Sequence, residues 1–224
     1  CLEMIRREQV ETRSHQGLPL LPAAQAVYAE FHHADRSAMD ACVEQVANLL
    51  EASGTDAAQT WLAVTPQDLD KLIGFRHAVP ESINRIIAER KRENSTLTKL
   101  GSDMAVPNAK LEWVMGLYSS SLEEFGLEGL KFGHIGDNHL HVNILPRSEQ
   151  EYQRGKTLFL DWARLVIEVG GTVSAEHGIG KLKTAQLLAM YGEQSVGEMR
   201  ALKHCFDPLG LLNPGNMFAV KGSA

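Results

Sequence analysis

Cysteine is scarce in this chain of 224 residues. The three present, Cys1, Cys42 and Cys205, are odd in number, far apart and never in a CxxC pair. That pattern argues against a disulfide framework or a thiolate zinc site and fits a reducing compartment. A surplus of positive charge is also missing: 22 Lys and Arg stand against 28 Asp and Glu, a net charge of -6. Nucleic acid or an anionic membrane is therefore not expected as the main partner. No apolar run approaches the roughly 20 residues of a membrane span. The start, CLEMIRREQVETR, is too charged for a secretory signal. There is no internal repeat, low-complexity tract or long linker. A phosphate loop is absent as well: HGIGKLK is glycine-rich, but Ala175 and Leu182 stand where GxxxxGK[ST] needs Gly and Ser or Thr.

What is present is the composition of an ordinary globular protein, 44% hydrophobic and 22% charged. A chain this long can bury a sizeable core as one large domain or two small ones. It begins with Cys rather than Met, so a piece of a longer protein is expected.

Hydrophobic periodicity alternates between strand-like and helix-like segments. After a polar leader over residues 1–22, Ala26 to His32 reads as a strand with Val27, Ala29 and Phe31 on one face. Residues 36–52 read as a helix. Thr60 to Thr65 reads as a strand, Pro66 as a helix start, and Pro80 as the restart of a further helix. Residues 97–106 look like another strand, followed by a helix from Ala109 to about Glu124. A hairpin at 128–146 precedes a long helix opened by the capping box Ser148-x-x-Glu151 and closed at Gly170-Gly171. A short strand near 172–174, helices near 182–191 and 193–205, and a Pro/Gly-rich tail complete the chain. This order predicts an α+β fold, a mostly antiparallel sheet with helices on one face; the hairpin disfavours a fully parallel sheet.

The densest chemistry lies in GHIGDNHLHVN, residues 133–143, with three histidines, one aspartate and two asparagines. A two-residue turn at Asp137-Asn138 would set His134 opposite His141, about 4.5–5.5 Å apart at Cβ, close enough to share a metal ion. Alternation then points Leu140, Val142 and Ile144 one way, and His139, His141 and Asn143 toward a cleft. The alternative is a polar strand face in water. SAEHGIG, residues 174–180, adds Glu176 and His177 in a glycine-rich setting. Two His and one carboxylate would leave coordination positions open, as catalytic sites do, for Zn, Mn or Fe. Arg76 continues the apolar stripe of Leu69, Leu72 and Ile73, so its guanidinium either meets a buried carboxylate or passes the stripe to water. Lys99, Gly101 and Asp103 share a strand face, which would bring a second cation to the same cleft.

Three segments carry a resemblance. GHIGDNHLHVN resembles GHxGDGNLHxN, SAEHGIGKLK resembles SxEHGIGxxK, and FDPLGLLNPGNMF resembles FDPxxxLNPGK, all in order; KLGSDMAVP and FRHAVPE add to it. These mark the C-terminal cap domain of FAD-linked oxidases of the vanillyl-alcohol-oxidase type, a family that includes D-lactate, D-2-hydroxyglutarate and glycolate oxidising enzymes. The resemblance spans nearly the whole chain and implies a ferredoxin-like cap-domain sandwich. It implies that His134, His141 and Glu176 bind a divalent metal, zinc first. Asn143 and Arg76 would contact substrate, with Lys99 as a further candidate for which Gly101 competes, and His177 would be the base. Asn213 of the tail would lie at the FAD. The substrate would be a small 2-hydroxy acid losing hydride from C2 to the flavin.

Two departures stand out. The family's Gly-Asn is Asn138-His139 here, which adds a histidine with no assigned role, and Asn216 stands where the tail usually has Lys. Nothing resembles the family's flavin-binding domain, so an N-terminal domain or partner subunit is expected, to which the tail 205–224 would return, together with an electron acceptor. The isolated chain would be inactive. A homo-oligomer, in the cytoplasm or at the inner face of a membrane, is the remaining expectation. The residues alone also allow a metal-dependent hydrolase, a non-catalytic binding module, or a histidine-triad hydrolase. The last is disfavoured because Asn143 occupies the third histidine position.

Overall fold

The computed structural model describes residues 2–6, 25–55 and 60–218. They divide into two compact units, one built from Cys1–Ile86 with Lys131–Gly136 and the other from Ile87–Leu130 with Asp137–Ala224. In chain order the elements are β1 (Leu2–Arg6), β2 (Gln25–Ala29), α1 (Arg36–Ala52), α2 (Pro66–Glu93), β3 (Leu100–Gly101) and β4 (Met104–Ala105). They continue with α3 (Leu111–Glu124), β5 (Gly129–His134), β6 (His139–Ile144), α4 (Glu149–Glu168) and α5 (Thr184–Phe206). The helices α1 and α3 to α5 and the antiparallel strand pairs give the expected α+β class. No helix among the described residues is long and apolar enough to cross a membrane.

In the first unit β1 pairs antiparallel with β2, from Leu2↔Ala29 to Arg6↔Gln25, and bridges β5 at Glu3↔His134. The expected leader thus opens with a strand; its remainder, 7–22, lies outside the described residues. Pairing with a distant segment made this strand, which no local pattern announces. Along β2, Val27 and Ala29 share one face as expected, and it is the exposed one, with Ala26 and Tyr28 half-buried on the other. The expected strand Thr60–Thr65 is irregular: Trp61, Leu62 and Val64 are 40%, 63% and 71% exposed, so its β-favouring residues find no packed surface. Pro80 does not restart a helix either. It sits inside the continuous α2, where the buried Ala78, Val79 and Ile83 offset the roughly 3 kcal/mol an interior proline costs.

In the second unit β6 pairs antiparallel with both β3 (Leu100↔Ile144, Gly101↔Asn143) and β4 (Met104↔Leu140, Ala105↔His139). The expected single strand over 97–106 is therefore two pieces in one register, parted at Ser102-Asp103. The strand expected near 172–174 is one isolated bridge, Ala105↔Thr172. Leu140, Val142 and Ile144 are fully buried, as are Val114 and Tyr118 of α3 and Trp162 of α4. Tyr118 and Trp162 meet edge to face at 4.8 Å, and the Trp162 indole N–H donates to Ser121 Oγ at 2.8 Å. Ser148 caps α4 through Glu151 N–H, as its sequence promised. Gly192, with φ 74, breaks α5 between its two expected halves.

Candidate functional site

The chain between β5 and β6 is one turn of 3-10 helix, Ile135–Asp137, followed by Asn138 with φ 52. The expected two-residue turn at Asp137-Asn138 is replaced, because a type I′ turn needs positive φ at both residues and only Asn138 has it. The loop is therefore longer than the expected two residues. Asn138 is held by its carbonyl, which accepts from Val106 N–H at 3.2 Å, and by a side-chain bond to Asn108.

All of β6 is buried, including the polar residues His139, His141 and Asn143 at 5%, 6% and 4% exposure. The alternative of a polar strand face in water therefore does not hold, and Ser102 and Asp103 explain why. Ser102 N–H donates to Val142 O, but Val142 N–H returns to the Ser102 hydroxyl at 2.7 Å rather than to its carbonyl. The same hydroxyl donates to Leu140 O at 3.2 Å. The Ser102 carbonyl is freed by this exchange and accepts from His141 Nδ1 at 3.2 Å.

A carbonyl only accepts, so His141 carries its proton on Nδ1 and turns a lone pair outward from Nε2. That Nε2 lies 3.1 Å from Glu176 Oε1. Burial, then the neighbouring His139 and His177, pull the His141 imidazole below its ordinary value, against the Ser102 carbonyl and the Glu176 charge. A cation between this imidazole nitrogen and the carboxylate oxygen would satisfy both. Two ligands each about 2.0–2.2 Å from one ion stand roughly 3.0–3.5 Å apart, so the separation fits a divalent metal. His177 stacks on His141, with centroids 4.9 Å apart and planes 8° from parallel, and its Nε2 lies 3.2 Å from the same Glu176 oxygen. Its side chain is 59% exposed, against 8% for His141, so it faces what enters from solvent.

Asp103, fully buried, joins strand and loop. Its carboxylate accepts from His139 Nε2 (2.9 Å), Ser174 Oγ (2.9 Å), the N–H groups of Glu176 (3.3 Å) and His177 (2.9 Å), and Lys183 Nζ (2.7 Å). Its backbone carbonyl takes Ala175 N–H at 2.9 Å. Burial pushes the carboxyl up, but the bonds from Lys183, His177 and Ser174 and the Lys183 charge carry it well below the usual carboxylate range. Ligand atoms of Asp103, His141, Glu176 and His177 all lie within 4.8 Å of one another. Asp103 is already saturated by donors, which leaves His141, Glu176 and His177 as the members of this group that face an incoming ion or substrate.

Of the residues singled out in the sequence, His141, Glu176 and His177 stand together. Asn143 follows two residues on, and its Oδ1 lies where a side chain on Gly101 would go. Lys99, half-buried just before β3, has its ammonium pulled down by burial. Asn213 is exposed, with φ 45, in a tail whose Met217 N–H donates to Gly180 O at 2.8 Å. Arg76 on α2 and His134 at the end of β5 are half-buried residues of the first unit. His139 spends its Nε2 on Asp103. Ser102, Ser174 and Lys183 were missed, although Lys183 is the closing lysine of SAEHGIGKLK and Asp103 lies in KLGSDMAVP.

Fold and site together define an α+β domain in which one buried strand and one glycine loop converge imidazole and carboxylate groups. The chain belongs to the family of FAD linked oxidases, C-terminal domain, which matches residues 3–217. It is 32% identical over 124 residues to glycolate oxidase subunit GlcD of Bacillus subtilis, covering 54% of this chain and 26% of that protein. It is 30% identical over 176 residues to D-lactate dehydrogenase of Archaeoglobus fulgidus, covering 78% and 36%. D-2-hydroxyglutarate dehydrogenase of Xanthomonas citri pv. viticola is 27% identical over 226 residues, covering 89% and 43%. The matched part is thus less than half the length of each of these relatives. Among solved structures, 4-ethylphenol oxidase from Gulosibacter chungangensis shares the fold, with a TM-score of 0.56 at 14% identity over 98% of this chain and 47% of that one.

Proposed function

We propose that this chain is the substrate- and metal-binding cap of a flavin-dependent D-2-hydroxy acid dehydrogenase or oxidase, of the lactate, glycolate or 2-hydroxyglutarate type. The observation that carries this is the neutral His141 Nε2 facing Glu176 Oε1 at 3.1 Å beside the exposed His177. His141 and Glu176, with His134 assigned by its motif, would hold a divalent ion, zinc first and manganese or iron next. A bound ion would supply Lewis acidity to the substrate oxygens. FAD, held mainly outside this chain, would supply the two-electron acceptor.

The chain's own residues do the rest. Arg76 and Lys99 offer positive charge to the substrate carboxylate and Asn143 an amide donor. His177 takes the hydroxyl proton at Nε2 as C2 gives up hydride, leaving a 2-oxo acid. The tail supports a docked flavin domain: Phe206, Leu209, Leu211 and Leu212 are 80%, 80%, 73% and 63% exposed. We extend the proposal to Asn213 at the flavin, a homo-oligomer, a separate electron acceptor, and a cytoplasmic or inner-membrane-face location.

The test measures metal content and D-2-hydroxy-acid-dependent dye reduction, for the chain alone and with its flavin-binding domain. Bound metal in both and turnover only in the second is the expected result. Flavin-free ester or amide hydrolysis by the chain alone would overturn it in favour of a metal-dependent hydrolase.

A further inference from the structure

The loop that carries Glu176 and His177 has little of its own to hold it. It is glycine-rich, with Gly178 and Gly180 at φ 70 and 56, and Ala175 through Gly178 are exposed. Its geometry comes from the buried Asp103 below it. Successive N–H groups of Ala175, Glu176 and His177 all point to this one residue, the first to its carbonyl and the other two to its carboxylate. Ser174 Oγ donates to the same carboxylate and accepts from Lys183 Nζ at 2.9 Å, so Lys183 braces both. On the other side Asp103 takes His139 Nε2, whose ring meets His141 edge to face at 4.4 Å. The His177 ring turns Nδ1 toward Asp103 Oδ1, 3.8 Å away, and Nε2 toward Glu176.

We propose that Asp103, paired with Lys183, is the positioning residue of this site, fixing the Glu176-His177 backbone and the stack of His177 on His141. The geometry also makes an electrostatic demand: an ionised carboxylate buried beneath a loop needs a buried cation, and Lys183, 8% exposed, is that cation. The Asp103 carboxylate is already taken up by donors from His139, Ser174, Glu176, His177 and Lys183, so it would act on a bound ion through the loop, as outer-shell partners of metal sites do. The inference deepens the metal-site reading above and rests on it for one arm of the test only.

The test uses the full 224-residue chain with zinc alone as probe. Zinc affinity is measured by titration calorimetry, and the His141–His177 stack is read from the ring-current displacement of imidazole protons by NMR. Asp103→Asn and Lys183→Met are expected to weaken zinc binding on the order of ten- to a hundredfold and to abolish the ring-current displacement. Lys183→Arg should restore both, which a general loss of stability would not. Ser174→Ala removes one loop contact while keeping the Asp103–Lys183 pair, and should give a smaller loss of both signals even if Asp103→Asn fails to fold. A folded Asp103→Asn or Lys183→Met chain with wild-type zinc affinity and an intact stack overturns the proposal. So does a folded Ser174→Ala chain that alters neither. Absence of zinc binding by the wild type would sink the metal-site reading instead, and the NMR arm would still decide the positioning role.

Discussion

Replacing Gly101 by alanine should damage recognition of the substrate while leaving the fold nearly untouched. A Cβ at this position would stand 2.9 Å from Asn143 Oδ1 and 3.9 Å from its Cγ, and it would meet nothing else within 4 Å. The clash is with the far end of one side chain, so Asn143 swings away and the β3–β6 pairing stays. Gly101 does not have positive φ, so alanine brings no backbone strain and stabilises by about 0.4–1 kcal/mol through the unfolded chain. Disturbing a buried amide costs about 0.5–1.5 kcal/mol. The two nearly cancel, and the melting temperature should move by no more than about 4 °C.

Activity answers to a different quantity. If Asn143 donates to the substrate carboxylate, its displacement loses a charge-assisted hydrogen bond of about 1.5–3 kcal/mol. That corresponds to about a ten- to hundredfold fall in kcat/KM. The assay is 2-hydroxy-acid-dependent dye reduction by the chain together with its flavin-binding domain. Asn143→Ala should fall equally, and Gly101→Ala should add nothing on that background, because both act on one side chain. Wild-type kcat/KM in Gly101→Ala, or a further loss on the Asn143→Ala background, would refute the reasoning.

Ser102→Ala should lower stability by about 1–3 kcal/mol, because the buried Val142 N–H loses its acceptor, and should weaken zinc binding as the Ser102 carbonyl releases His141; thermal melts and calorimetry check the two parts. Trp162→Ala removes a fully buried indole and its bond to Ser121, and is expected to cost about 3–5 kcal/mol, read as a melting temperature about 6–20 °C lower. The Lys203 hydrogen bond, opposed by burial and helped by the N–H groups of Leu211 and Leu212, holds Asp207 down at about 2. Its folded value is depressed, so its contribution is present above the ordinary 3.8 and lost as pH falls through about 2; the gap in melting temperature between wild type and Asp207→Asn should be open at pH 5 and close across that window. Chelation of zinc supplied at about a hundredfold over its dissociation constant should remove about 2.7 kcal/mol of stability, and His141→Ala should show no such change.

What the sequence made legible was local or already assembled in a motif. The span of α1 shows in its helical periodicity, and the start of α4 in its capping box. Glu176 and His177 are adjacent in the chain and His141 lies in a histidine-rich strand, so their chemistry could be suspected before their distances were known. What stayed hidden needed partners remote in sequence. Leu2–Arg6 became a strand only by pairing with Gln25–Ala29, while Thr60–Thr65, richer in β-favouring residues, found nothing to pack on. His139, which the sequence left without a role, is bound to a buried carboxylate, and that carboxylate draws its donors from β6, the 174–177 loop and the start of α5.

The polar face of β6 was left open between cleft and water for the same reason. Alternation in HLHVN separates apolar from polar side chains correctly, but it cannot say whether the polar side meets water or other polar groups. Here it meets the Ser102 carbonyl and Asp103, and burial follows from that pairing. The distinction matters chemically. In water, His141 could titrate and turn freely; pinned by a carbonyl in a buried strand, it keeps one tautomer and aims one lone pair at Glu176. The same alternating pattern thus yields either a wet strand face or a fixed ligand, and the choice is made by the two residues, Ser102 and Asp103, at which the neighbouring strand is broken.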